Sequence, residues 1–416
     1  MRRFDRQFLA RYSESWVGME IDEFVGFLLP KCQEVITIER LRQKMSEHPM
    51  LKVKFGIDPT APELHLGHVV PIMLLRHFAK TGHHIDFIIG DFTARIGDPT
   101  ARDIGRVPLS PEQIVKNMET YTSQIGKYID LHMLHIHYNA RWLSTMTLQE
   151  IFAIFQQINL SEAIQREDFR ARMRNKQAVS LAEVCYGTLM GIDSVHLGTH
   201  VEIGGIDQLL NFQQCRKVMR QFGMDEEVIL MTPILEGTSG DGKKMSKSYG
   251  NYIAVNATRE EKFGKIMSIP DRLIGQYFRC FADVHQRELE ELDTFIRENP
   301  MEAKKQLATL IVALETQNIE DGLRERESFE RKFSQKHIRY EDCIELTEDA
   351  NITILDALVK SGQFKSKSEL RRLFEQQGVR VMNEEGEIIL SPEILVGQVG
   401  GIVRVGKRRF FRFITN

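Results

Sequence analysis

The 416-residue sequence holds no apolar run as long as a membrane span and no cysteine pair of the CxxC kind. The first absence argues against a helical membrane protein. The second, with Cys32, Cys185, Cys215, Cys280 and Cys343 scattered along the chain, argues against a disulfide framework or a cysteine zinc site. No protein-bound structural metal is therefore expected. The phosphate-loop pattern G-x-x-x-x-G-K-[ST] is also missing, which disfavours a P-loop kinase or ATPase. The N-terminal "MRRFDRQFLARYSESWVG" has basic residues but lacks the apolar stretch of a signal peptide, so a cytoplasmic protein is expected. Internal repeats and low-complexity tracts are absent. The net charge of −3 speaks against a generally basic nucleic-acid coat and leaves room for a local basic patch.

What is present reads as α/β over the first ~250 residues, in strands alternating with helices. "KVKFGID" (52–58), "HIDFIIGD" (84–91), "LHIHYNARWL" (134–143) and "EEVILMTPIL" (226–235) are strand-like. "GHVVPIMLLRHFAKTG" (67–82) has helical periodicity, with Gly82 as a C-cap. Ser110, Pro111 and Gln113 open a helix over 110–129 with a capping-box spacing. This pattern predicts a doubly wound parallel sheet. His132, His135 and His137 fit strand alternation better than a metal site, because no cysteine residue is near in sequence.

The expected division is a helical extension (1–50), a catalytic α/β domain (51–256), a charged helical subdomain (257–345) and a small α+β module (351–416). The acidic "YEDCIELTEDAN" (340–351) reads as a linker. The last module carries eleven basic against seven acidic residues, net +4, which leaves −7 for the rest. That is the footprint of a phosphate-backbone reader, although an ordinary solvated face fits the composition as well.

Two stretches carry chemistry. In "GIDPTAPELHLGH" (56–68), His65 and His68 bracket Gly67 at a helix start, where free N–H groups and the helix dipole favour anions. In "DGKKMSKSYGN" (241–251), Lys243, Lys244 and Lys247 lie in a glycine-bounded loop suited to a leaving pyrophosphate. A third stretch, "CYGTLMGID" (185–193), places Tyr186, Met190 and Asp193 on one helix face. A core would rarely bury that aspartate without a partner.

The first two stretches, in this order, resemble the His-x-Gly-His and Lys-Met-Ser-Lys-Ser motifs of class I aminoacyl-tRNA synthetases. With "GDFTARIGDPT" (90–100), "GGIDQ" (204–208) and the C-terminal segment, the chain from about 50 to 416 is similar to the bacterial tyrosyl-tRNA synthetase family. The resemblance implies a Rossmann-like catalytic domain and an S4-like RNA-binding domain. It also implies a homodimer that takes ATP with Mg²⁺, L-tyrosine or an analogue, and tRNA(Tyr). Carried over, Thr60, His65, His68, Lys244 and Lys247 would be catalytic. Gly56, Asp58, Gly67, Gly205, Asp207, Gln208 and Met245 would bind ATP or the adenylate. Asp98, Tyr186 and residue 190 would hold the amino group, Gln208 the carboxyl end, and Asp193 the phenolic hydroxyl. Lys365, Lys367, Arg371, Arg372, Lys407, Arg408 and Arg409 would meet tRNA.

The chain departs from the family pattern in the amino-acid pocket. Lys54 stands where a tyrosine often serves as second hydroxyl partner, and is expected to pair with Asp193 or to point to solvent. Met190 replaces a glutamine, and a thioether accepts hydrogen bonds only weakly. Ile192, Ile57 and Ile206 stand where Tyr, Phe and Thr or Ser are common. Two other readings are open on the sequence alone. One is a paralogue activating a tyrosine analogue or another amino acid outside translation. The other is a catalytically inactive S4-domain RNA-binding regulator.

Overall fold

Strands β2 (Lys52–Ile57), β3 (His84–Ile89), β4 (Leu134–Tyr138), β5 (Val201–Gly205) and β6 (Val228–Thr232) run parallel at the centre of the first unit. In this computed structural model the described residues are 11, 14–98, 110–156, 158–164, 167–333, 343–364, 366–383, 386–406 and 409–415. β3 and β6 are apolar runs buried along almost their whole length, as strands covered on both faces must be. With β1 (Glu34–Ile36) the spatial order is β1-β6-β5-β2-β3-β4. From β2 the chain winds through β3 to β4, then returns to β5 and β6 on the other side. The order thus reverses between β2 and β5, where the carboxyl ends of the strands open a crevice.

The helix Leu66–Lys80 connects β2 to β3 and is buried nearly end to end. Gly82 beyond it has φ +83, the left-handed conformation of a helix stop. Ser110 and Gln113 form the expected reciprocal cap, at 3.3 and 2.9 Å. The helix they open is shorter than 110–129: it breaks into Pro111–Met118 and Tyr121–Ile125. The stretch before residue 50 is not purely helical. Between helices Ile21–Leu28 and Ile38–Glu47 it inserts β1, which lies antiparallel on β6. Three residues are too few to show a period of two.

Of the three histidines, His137 acquires an acidic partner from the neighbouring strand. The β3–β4 register sets Asp86 opposite His135. His137 Nε2 and His84 Nε2 approach Asp86 Oδ1 at 2.7 and 3.1 Å, and His84 stacks on His135 with centroids 3.9 Å apart.

By contacts the chain divides into two compact units, 1–326 and 327–416. The helices Arg259–Met267, Ile274–Phe281, Leu289–Glu298 and Pro300–Thr316 lie in the first. Ile274–Phe281 packs on Leu66–Lys80. The buried Lys31 ammonium donates to the carbonyls of Cys280 (3.2 Å) and Ala282 (2.6 Å) at its end, groups a helix leaves unsatisfied.

The second unit holds β7 (Ile344–Glu348), β8 (Val379–Asn383), β9 (Gly386–Ile389), β10 (Ile402–Val405) and β11 (Arg409–Thr415), in the order β7-β11-β10-β8-β9. Helices Ile354–Lys360 and Lys367–Glu375 share its core, through Ile354, Leu358, Leu370, Phe374, Val403 and Phe411. Residues 344–348 are thus not linker. They form an edge strand parallel to β11, and their polar residues are those of a half-solvated edge. No described helix is long and apolar enough to cross a membrane.

Candidate active site

A cleft of about 690 Å³ opens at the carboxyl ends of β2, β3, β5 and β6. Gly56, Asp58, Thr60, Gly67, Gly205, Asp207, Gln208 and Met245 line it, with His65, His68, Lys244 and Lys247. Lys54, Asp98, Tyr186, Met190 and Asp193 line it too. One cavity therefore gathers residues that lie up to 193 positions apart.

At one end of the cleft the first motif is joined through backbone to the chain that follows the second. Leu66 N–H donates to the Ile253 carbonyl (3.0 Å), and Val255 N–H to that of Leu64 (2.8 Å). His68 Nδ1 accepts from the His65 N–H at 3.2 Å, which leaves the His68 proton on Nε2. Burial, the other imidazole and the nearby lysines push His65 down to about 2. Burial and Lys247 push His68 down to about 4. Both rings are neutral at physiological pH, and each offers one N–H donor rather than a charge.

The lysine loop is held from beneath. Met245 is 4% exposed and its N–H donates to the Leu235 carbonyl. Asn251, also buried, accepts from Ser246 N–H (2.8 Å) and donates to the Lys244 carbonyl (3.1 Å). Lys247 reaches across to the Glu63 carbonyl, while Lys244 is exposed. Met245 and Asn251 fix the loop's base, and Lys244 and Lys247 line the cleft.

The other end of the cleft lies on helix Leu181–Leu197, closed at its start by Ser180 and Glu183 and at its end by Gly198 (φ +65). Tyr186, Met190 and Asp193 do share its cleft face. Gly187 and Gly191 share the opposite one, where a Cβ would lie about 3 Å or less from Asn211, Cys215 or Val218 of helix Leu209–Gln221. The glycines bring that second helix close.

Asp58 is bonded by Thr93 Oγ1 (2.7 Å) and Tyr186 OH (3.0 Å). Gly90 is required beside them, because a Cβ would sit 2.1 Å from Asp58 Oδ1. Burial lifts Asp58 to about 7, against the two hydroxyls and with help from Asp98. Gln208 donates to Asp98 at 2.6 Å and accepts from Asn211 at 2.6 Å. Met190 lines the cleft on one side and packs on Phe212, Ile229 and Met231 on the other.

Asp193 is 4% exposed. Trp142 Nε1 donates to one oxygen (2.7 Å) and Asn139 Nδ2 to the other (3.3 Å). Burial raises its pKa to about 6, while Lys54 and the two N–H donors favour the anion. Lys54 neither pairs with Asp193 nor meets solvent. It is 1% exposed, and its ammonium lies 2.8 Å from Glu202 Oε1 on the adjacent strand. Burial alone would lower its pKa, but the Glu202 carboxylate beside it raises it.

Asn139, Trp142, Thr93, Asn251 and Glu202 also belong to this site, and the sequence pattern does not mark them as such. The spacing "NARW" after a strand and the Gly-Asp-Phe-Thr turn were the available signals for three of them. In the second unit, Lys367, Arg371 and Arg372 lie on helix Lys367–Glu375, the two arginines exposed and Lys367 paired with Asp356 (2.6 Å). Arg409 lies over the Phe364 ring at 4.5 Å. Lys365, Lys407 and Arg408 fall outside the described residues.

Residues 45–356 match the family described as tRNA synthetases class I (W and Y). A tyrosine-tRNA ligase of Thermotoga maritima is 38% identical over 400 residues, covering 95% of this chain and 98% of its own. One from Aquifex aeolicus is 37% identical over 383 residues, covering 92% and 96%. Among solved structures, a C-terminally truncated mitochondrial tyrosyl-tRNA synthetase of Aspergillus nidulans superposes with a TM-score of 0.61 at 20% identity. It covers 80% of this chain and all of its own. The Archaeoglobus fulgidus tyrosyl-tRNA synthetase gives 0.58 at 22%, covering 74% and 100%. At those identities the structures speak for the fold, and the sequence relatives for the family. The chain belongs to the tyrosine-tRNA ligase family of class I tRNA synthetases.

Proposed function

We propose that the protein activates L-tyrosine with ATP to tyrosyl-adenylate and transfers the tyrosyl group to tRNA(Tyr) in the cytoplasm. The observation that carries this is the arrangement of one cleft. A buried carboxylate set by two N–H donors lies at one end, and neutral imidazoles with two lysines lie at the other. The amino-acid carboxylate attacks the α-phosphorus of ATP and pyrophosphate leaves towards Lys244 and Lys247. His65 and His68 donate to phosphate oxygens, with Thr60 beside them, and Mg²⁺ accompanies ATP as part of the substrate. The adenylate lies over Gly56, Gly67 and Gly205, its ribose on Asp207 and its carbonyl end near Gln208. Asp98, Tyr186 and Asp58 face the ammonium and Asp193 accepts from the phenol. The protein supplies position and charge stabilisation, and no side-chain nucleophile is needed.

Two features support the partners. Leu148 and Phe152, one turn apart on helix Leu148–Phe155, are each more than half exposed, an apolar pair that suits a homodimer contact. The net +4 of residues 351–416, with Lys367, Arg371, Arg372 and Arg409, suits tRNA. The paralogue and regulator readings are not favoured by the relatives, which are tyrosine-tRNA ligases over nearly their full length.

Amino-acid-dependent exchange of pyrophosphate into ATP tests the reading. Exchange with tyrosine and not with phenylalanine is the expected result. Silence with tyrosine beside exchange with another amino acid would overturn it. Deleting residues from 343 onward, the whole second sheet, should spare exchange and weaken tRNA charging, and tRNA binding by the full chain should fall with salt. Undiminished charging by the shortened chain would remove the module's role.

A further inference from the structure

Behind the phenol end lies a buried cluster that the proposed chemistry does not use. Glu202, Cys215 and Glu227 bring a ligand atom each to within 4.8 Å of one another. A metal ion does not suit them. Burial, with Glu202 beside it, pushes the Cys215 thiol well up, and the thiol donates to the Gly187 carbonyl at 3.4 Å. The cluster also has a cation of its own in Lys54. Burial and Glu202 push Glu227 well up, so it keeps its proton. A protonated Glu227 gives Glu202 Oε2 the donor it otherwise lacks. Lys54 and Glu202 then balance in charge.

An ammonium has three N–H donors. Those of Lys54 go to Glu202 Oε1 (2.8 Å), to the Met190 carbonyl (3.2 Å) and to Ser194 Oγ. None is left for a substrate. Two of the three acceptors belong to the helical turn that carries Asp193. We infer that Lys54 is a positioning residue for tyrosine selection: anchored on Glu202, it ties the turn 190–194 to β2 and sets where Asp193 presents its carboxylate. The inference rests on the proposed role of Asp193 towards the phenol. It places the phenol's recognition on Asp193 and takes Lys54 out of direct contact, although Lys54 stands where the family often has a second hydroxyl partner. The ammonium also favours the ionised form of Asp193.

Lys54→Met alone strands a buried carboxylate, so the informative variant is Lys54→Met with Glu202→Gln, which removes both charges together. In pyrophosphate exchange it should raise the tyrosine KM and reduce the preference for tyrosine over phenylalanine, each about tenfold, with kcat and the ATP KM nearly unchanged. Ser194→Ala, which takes away one acceptor and no charge, should shift both in the same direction by about threefold. Amide hydrogen exchange of the ligand-free protein should be faster at 190–194 in the double variant. A folded double variant with the wild-type tyrosine KM and preference would overturn the inference. So would an equal loss in the tyrosine and ATP parameters, or unchanged amide exchange at 190–194. A wild-type protein silent with tyrosine, beside faster amide exchange in the variant, would instead overturn the functional reading and leave the tie standing.

Discussion

Two buried carboxylates frame the amino-acid end of the cleft, and they are served differently. Asp58 is bonded by hydroxyls, from Thr93 and Tyr186. Asp193 is bonded by nitrogen donors, from Trp142 and Asn139. A hydroxyl both donates and accepts and can turn away, whereas an indole N–H only donates. On the proposed reading, Asp58 can therefore exchange its partners for an incoming ammonium, and Asp193 is fixed as an acceptor with lone pairs to spare for a phenol. The two are also joined: Asn139 donates to Thr93 Oγ1 at 3.2 Å as well as to Asp193. Selectivity needs the rigid end, and capture needs the adaptable one.

The largest effect should come from breaking the rigid end. Asp193→Asn replaces an acceptor already faced by two N–H donors with a group that must also donate. A charged hydrogen bond is worth roughly 1.5–3 kcal/mol, so kcat/KM for tyrosine should fall about ten- to a hundredfold while the ATP KM holds. Steady-state exchange kinetics measure this, and a fall below threefold would remove Asp193 from the recognition of the phenol.

The adaptable end should reveal itself in pH. Asp58, lifted to about 7, binds its proton more tightly folded than unfolded. Its contribution therefore favours the folded state at low pH and is lost as pH rises from about 4 through 7. An ammonium prefers the ionised form, so kcat/KM for tyrosine should climb to a plateau above about pH 7. Asp58→Asn should lose that limb and lower activity about tenfold. A profile identical in the variant would assign the limb elsewhere.

The smallest effect belongs to Met190, between the two ends. Met190→Gln offers the ammonium an amide and should lower the tyrosine KM severalfold, on the order of 1 kcal/mol. An unchanged KM would show that the side chain's apolar contacts with Phe212, Ile229 and Met231 decide its direction.

The sequence made part of this arrangement legible. A helical period of 3.6 places Tyr186, Met190 and Asp193 on one face whatever the fold, and they do face the cleft. Strands β2, β3, β4 and β6 are visible as strand-like stretches, those of β3 and β6 largely apolar. What stayed hidden was set at long range. Lys54 finds Glu202 because β2 and β5 pair Lys54 with Glu202 in register, a pairing that composition near Lys54 does not announce. The β3–β4 register sets Asp86 opposite His135, and Asp86 bonds His137 two residues further along the same strand. β5 is only five residues and holds two glycines, and β1 and β7 take their character from the strand beside them.

β1 has a consequence for the chain's solubility. The outer side of a parallel sheet exposes unpaired N–H and C=O groups that can recruit a foreign strand. Gln33 N–H bonds the Met231 carbonyl, and residues 34–36 run along β6 against its direction before the chain turns into a helix. A stranger approaching from that side meets three residues of backbone instead of the apolar length of β6. Loss of this short flap should leave the chemistry in place and turn β6, buried at every residue, into a seed for aggregation.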